Sequence, residues 1–381
     1  MRTFRWLLVT VVVVVFLSVS VTVWAAASPK TISLTEAVEL GLAESNTIKV
    51  ATFSLRQSEV AYKQNKANLL LQPSILSELQ IENSWRSARR NFEVTKSQVA
   101  LQIEQLYYNQ LRAERALTLA QENLKRAEKQ LENIQTKFSL GTVAKLDLLK
   151  SELEVENAQL EVKKAEKNLN IAQAQLASYL VGDTKRIFSL STQLDFQPLQ
   201  LDLERCIDYA LKNRPEIQER EEALALSKKE VEVTRTPYYP PLEVEKAQAN
   251  FQLAQVQLED VRNNIILEVE QKFTNFVAAL DSVPVAQKNR EIAQENLNVA
   301  QARFDAGVLT VVDLLDAQNN LYRAESNYLN AIFDYNVSKA QLFQSLGINV
   351  AEREKHITAL TAPEAKEGAP ETPQPESGGK Q

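Results

Sequence analysis

The sequence predicts an all-α protein made of two tandem repeats of a long coiled-coil helical hairpin. Three observations carry this. The chain of 381 residues holds only 8 glycines and is dominated by the strong helix formers Ala, Leu, Glu, Gln and Lys. Its apolar residues recur alternately four and three apart, the coiled-coil period. Its two halves repeat each other at an offset of 166 to 169 residues.

The first element is a leader. Arg2 and Arg5 precede an uncharged apolar run from Trp6 to Val23 and then Ala25-Ala26-Ala27. Basic region, apolar region and small-residue site together read as a signal peptide over 1–27, cleaved after Ala27. The run is long for a leader, and an uncleaved membrane anchor is the alternative.

The first repeat spans 28–182. A segment from Leu34 to Leu71, broken near Asn46, precedes one continuous helix from about Ser77 to Ser139. A helix of that length reaches roughly 90 Å at 1.5 Å per residue. Its seam runs Ala113, Leu117, Ala120, Leu124, Ala127, Leu131, Ile134 and Phe138. Gly141 ends it, as glycine does after a helix C-terminus. The return helix continues the period through Val155, Ala158, Val162, Ala165, Leu169, Ala172, Leu176 and Tyr179, and ends near Gly182. Alternating Ala with larger residues lets a helix approach neighbours on two sides.

A connector follows over 183–200, alternating and Pro-containing, with a short strand expected in it. The second repeat, 201–350, copies the first. Leu34, Val38, Leu42 and Ile48 recur as Leu203, Ile207, Leu211 and Ile217, while Phe138, Gly141, Asp147 and Leu148 recur as Phe304, Gly307, Asp313 and Leu314. Pro215 stands where the first repeat has Asn46. The remainder, 351–381, is polar and rich in Pro and Glu, and is expected to be a disordered tail.

Charge and chemistry narrow the function. With 43 basic and 49 acidic residues the chain is net acidic, which argues against nucleic acid as a partner. One cysteine, Cys206, and one histidine, His356, make no metal site and no nucleophile–base pair. The expectation is therefore no enzyme, no cofactor and no metal.

The turns carry a resemblance. The second reads F-D-A-G-V-L-T-V-V-D-L-L-D-A-Q from Phe304 to Gln318, and the first F-S-L-G-T-V-A-K-L-D-L-L from Phe138 to Leu149. Each repeat also opens with an element such as A-L-K-N-R-P-E-I at Ala210 to Ile217. The pattern resembles the TolC-like outer-membrane efflux family from Ile32 to Gly347. The resemblance implies a homotrimer closing into a twelve-column α-barrel around a tunnel, in the periplasm and outer membrane. It implies a membrane-fusion adaptor and an inner-membrane pump as partners. Leu140, Gly141 and Thr142, with Ala306, Gly307 and Val308, are then the adaptor-docking tips, and Asp313, Asp316 and Asp147 line the tunnel entrance.

Two readings of the aspartates stay open. As entrance residues they would form rings favouring cations. As ordinary helix-start acids they would meet the positive end of the helix dipole. Lys150 stands where a second acid would accompany Asp147.

The chain also departs from the family. Val308, Leu309 and Thr310 supply no basic gate residue after the second glycine. Family members insert two membrane-spanning strands before each long helix, and each strand needs about 9–11 residues. Only Pro73 to Ile81, and Pro237-Tyr238-Tyr239-Pro240-Pro241, are available here. The β-barrel insertions are expected to be absent and membrane contact limited or peripheral. An exported coiled-coil scaffold or adaptor with no transport activity is the competing function.

Overall fold

The computed structural model describes residues 30–192 and 195–361; the leader and most of the expected tail lie outside them. Strand β1 (Lys30–Ile32) leads into α1 (Leu34–Glu44) and α2 (Asn46–Leu69). The long helix α3 (Ile75–Ser139) and its return α4 (Lys145–Val181) form the first hairpin. After β2 (Phe188–Leu190) the order repeats as α5 (Leu203–Asn213), α6 (Pro215–Thr234), α7 (Pro241–Asp305) and α8 (Val311–Ser345). A 3₁₀ turn, Val350–Glu352, and α9 (Arg353–Leu360) are the last of the described elements. The two long helices have the same length, 65 residues.

Each break has a local cause. Ser33 opens α1 with a capping box: its hydroxyl accepts from the Glu36 amide at 3.2 Å, and Glu36 accepts from the Ser33 amide at 2.7 Å. Asp202 caps α5 by accepting from the Arg205 amide at 2.9 Å. Pro215 is the first residue of α6, where its missing N–H costs nothing.

In each repeat a broken column lies beside the long helix. In the first, α4 ends at Gly182, against Asn46 at the start of α2. In the second, the Arg214 guanidinium donates to the Ser345 carbonyl at 2.8 Å, so the residue that precedes α6 also covers the end of α8. The columns then stand side by side: α4 with α2, then α3, then α8 with α6, then α7. Packing of α3 on α8 and α6 joins the hairpins.

The predicted seams are buried in part. Ala120, Ala127, Ile134, Val155, Ala158, Ala172 and Leu176 are buried in the first hairpin, and Leu321, Ala331, Tyr335 and Leu342 in the second. Phe138 is exposed, and the other seam positions of the first hairpin are half-buried. A wider core sits midway along the columns, where α1 packs on α3. Gly41 permits that approach, because a Cβ there would clash with the Ile103 side chain. The two strands pair in parallel in this region, Lys30 opposite Phe188 and Ile32 opposite Leu190. Tyr107 ties them down, its hydroxyl donating to the Ile32 carbonyl at 3.1 Å.

The last segment corrects one expectation. Residues 353–360 were expected within a disordered tail and form α9. Their polar composition conceals a helix held by tertiary contacts: Leu360 is buried, Ile357 packs on the second-repeat core, and Asp202 donates its amide to the Leu360 carbonyl at 3.0 Å. The strand β1, which gives β2 its partner, has no counterpart in the sequence reading.

Candidate tunnel mouth

Both hairpins turn on the same backbone motif. Gly141 and Gly307 adopt φ of 73° and 75°, the left-handed conformation that glycine reaches without a Cβ clash. The Thr142 amide donates to the Lys137 carbonyl at 2.9 Å and the Gly141 amide to that of Phe138 at 2.9 Å. Val308 to Arg303 and Gly307 to Phe304 repeat this at 3.0 Å each. These are two Schellman caps, one per repeat. They leave Leu140 and Val308 protruding, each 72% exposed.

The two turns lie together. Lys137, on the last turn of α3, reaches the second tip: its ammonium is 3.5 Å from the Phe304 carbonyl, 3.8 Å from the Asp305 carboxylate and 3.9 Å from the Phe304 ring centroid. Farther from the tip, Arg126 on α3 donates to Glu325 on α8 at 2.8 Å. Buried Asn123, Gln130 and Gln318 belong to the same helix pair, so the hairpins meet towards this end through a partly polar seam.

The aspartates occupy helix starts. Thr310 caps α8 and exchanges hydrogen bonds with Asp313: its hydroxyl accepts from the Asp313 amide at 3.2 Å and donates to the carboxylate at 2.7 Å. Asp316 follows on the same exposed face, one turn along, and makes no hydrogen bond or ion pair among the described residues. Asp147 is half-buried and accepts from the Ala144 amide at 3.2 Å. All six tip residues and all three aspartates thus gather at one end of the hairpins. Sequence reasoning missed Lys137, Arg126 and Glu325, whose pairing joins residues far apart in the chain; the polar positions Lys137 and Arg126 carried no periodic signal.

Two hairpins with long helices of equal length and paired glycine turns at one end define an all-helical tandem-repeat fold. Residues 242–348 match the family model described as outer membrane efflux protein. The chain is 30% identical over 136 residues to the outer membrane protein TolC of Escherichia coli strain K12, covering 35% of this chain and 28% of that protein. The match thus spans well under half the length of the curated TolC relatives. Solved structures extend the likeness of fold. CusC aligns with a TM-score of 0.69 at 16% identity, covering 83% of this chain and 92% of the other. The CmeC outer membrane channel of Campylobacter jejuni aligns with a TM-score of 0.68 at 15% identity, covering 86% and 89%. Residues 242–348 thus resemble the outer membrane efflux proteins in sequence, and the described chain has the fold of the outer membrane channels across both repeats.

Proposed function

We propose that three copies of this chain close into a twelve-column α-helical tunnel that docks by its Gly141 and Gly307 tips on a membrane-fusion adaptor and pump, serving as a conduit and not as a catalyst. The observation that carries the reading is a pair of unpaired helix edges. The outer column on one side, α4, exposes Leu146, Leu149, Leu153 and Leu160; the outer column on the other, α7, exposes Val285, Ile292 and Val299. Both sets keep heptad spacing, so each edge is a coiled-coil seam with no partner in its own chain. Joining α4 of one copy to α7 of the next buries both and generates a closed ring. The copy number of three follows from the family resemblance.

Within that ring, Asp313 and Asp316 supply two carboxylate rings at the mouth, and Asp147 a third. Neither link before a long helix can hold two membrane-spanning strands: five residues separate α2 from α3, and six separate α6 from α7. Those short links favour the second reading, an exported scaffold that conducts nothing. Electron microscopy of the purified assembly viewed end-on separates the two. A twelve-column ring with an open lumen supports the conduit; rods or bundles without a lumen overturn it.

A further inference from the structure

We infer that the end opposite the glycine turns is an uncharged collar that seats on a phospholipid surface without crossing it. The collar is built from both links. The Lys66 ammonium lies 3.7 Å from Glu82 and the Tyr62 and Trp85 rings stack at 5.8 Å, so α2 ends beside the start of α3. Arg90 meets Glu222 at 2.7 Å and Asn83 donates to the Glu222 carbonyl at 3.5 Å, so α6 runs beside the first part of α3, and roughly three further turns carry its end to the same level. Two segments distant in sequence therefore form one end of the protein.

Their chemistry is banded. Residues 67–77 and 236–242 contain no charged side chain, whereas Lys66, Glu78, Arg235 and Glu243 bound them directly. Within the bands the large side chains point away from the protein: Leu70 and Leu71 are each 83% exposed and Tyr238 is 93% exposed, with Ile75 and Leu242 also exposed. Pro73, Pro237, Pro240 and Pro241 stiffen the links. The apolar groups are thus held outward at little further entropic cost.

A membrane surface fits this arrangement better than a second copy. An interface between proteins needs roughly 800 Å² per partner with a packed core. Side chains this exposed stand on links of only five and six residues. Insertion at the headgroup boundary asks only for apolar tips, charged shoulders and amphipathic tyrosines, all of which are present. Links of five and six residues fall short of the 9–11 that a strand needs to span a bilayer. Among the described residues no helix is long and apolar enough to cross a membrane either.

The test reads position, so that attachment through any other part of the full chain does not confuse it. In a Cys206→Ala background, Leu71→Cys, Tyr238→Cys and, at the opposite end, Val308→Cys each carry a polarity-sensitive fluorophore. Vesicles of phosphatidylethanolamine and phosphatidylglycerol should shift emission at 71 and 238 to the blue and leave 308 unchanged. Lipids brominated near the headgroup should quench the two shifted probes. Adding Leu70→Gln should reduce the shift at 238. Water-like emission at 71 and 238 with vesicles present overturns the inference. So does a blue shift that needs only more protein and no lipid, which would mean end-to-end association of copies. Equal quenching by lipids brominated near the bilayer centre would mean spanning, and overturns it too. Ring imaging for the conduit and probe response for the collar fail independently.

Discussion

Arg353 reaches back across 249 residues to Glu104, its two terminal nitrogens 2.6 and 2.7 Å from the two carboxylate oxygens. Glu104 is fully buried on α3 of the first repeat, and the guanidinium lies over the Phe343 ring of α8 at 5.2 Å. Around the pair, burial first and the Glu104 charge second push the Tyr108 hydroxyl well above its usual range, while burial holds the Lys339 ammonium below its own. The segment carrying Arg353 also bridges to the start of the second repeat, where Leu201 pairs with Thr361. One contact therefore joins both repeats and the end of the described chain.

Removing one partner of this pair is expected to cost far more than removing both. Arg353→Ala leaves a buried carboxylate without its counter-charge, a loss of about 3–5 kcal/mol. Glu104→Leu with Arg353→Met replaces the pair by packed apolar groups and should lie much closer to the parent. Urea unfolding of both variants checks this. Arg353→Ala at less than about 1 kcal/mol would show that Glu104 finds another partner.

The hairpin turns allow a cleaner test, because nothing lies within 4 Å of a Cβ built on Gly141 or Gly307. Any loss from Gly307→Ala is then backbone strain alone, about 1–2 kcal/mol for an L-residue held left-handed. Gly307→Asn should lose less, since Asn tolerates that conformation. Thermal unfolding should rank the parent above Asn above Ala. Equal Tm for all three would mean the turn relaxes out of the Schellman geometry.

How much was legible follows from where each signal sits. Heptad seams such as Val155–Ala158–Val162 and the glycines at 141 and 307 are local, so helix lengths and turns could be read directly. The break expected near Asn46, which falls at Ser45, was visible because Pro215 stands in the place of Asn46 in the second repeat. Contacts such as Lys137 with Asp305 depend on which faces two hairpins present to each other, which no period encodes. The helix at 353–360 was hidden because its stability comes from Glu104 and the second-repeat core, and its own sequence is polar. The aspartates were found by resemblance; their position at one end is geometric, and their exposure leaves the two readings to chemistry.

Cys206 is fully buried on α5, and burial, with Asp202 adding, pushes its thiol up to about 12 from its ordinary value of 9.0. The folded state thus prefers the neutral thiol. Its contribution is fully present below pH 9 and is lost as pH rises from there towards about 12, because the unfolded chain releases its proton first. Native protein at pH 8 should be inert to a thiol-reactive disulfide reagent and should react fully once denatured. In Cys206→Ala the fall in stability that begins near pH 9 should be shallower. Prompt labelling of the native chain would contradict both expectations.

The last prediction separates the two readings of Asp313 and Asp316. Asn at 313 keeps an oxygen to accept from the Thr310 hydroxyl and keeps the backbone amide that donates to it, so the start of α8 survives. Asp316 makes no bond to lose among the described residues. Helix content should therefore be the same in Asp313→Asn with Asp316→Asn as in the parent. What changes is charge: if three copies bring these residues into rings, the parent mouth concentrates multivalent cations at a spacing where carboxylates reinforce one another. Calorimetric titration of the assembled protein with hexaamminecobalt(III) should show binding that weakens as salt is raised. The double variant should lose that binding, and Asp147→Asn should lose only part of it, since Lys150 already offsets its charge. Scattered acids that merely start helices predict a different result, a small decrease in weak binding proportional to the charges removed. Unchanged trication binding in the double variant, with the ring intact by microscopy, would return Asp313 and Asp316 to the role of helix-start acids.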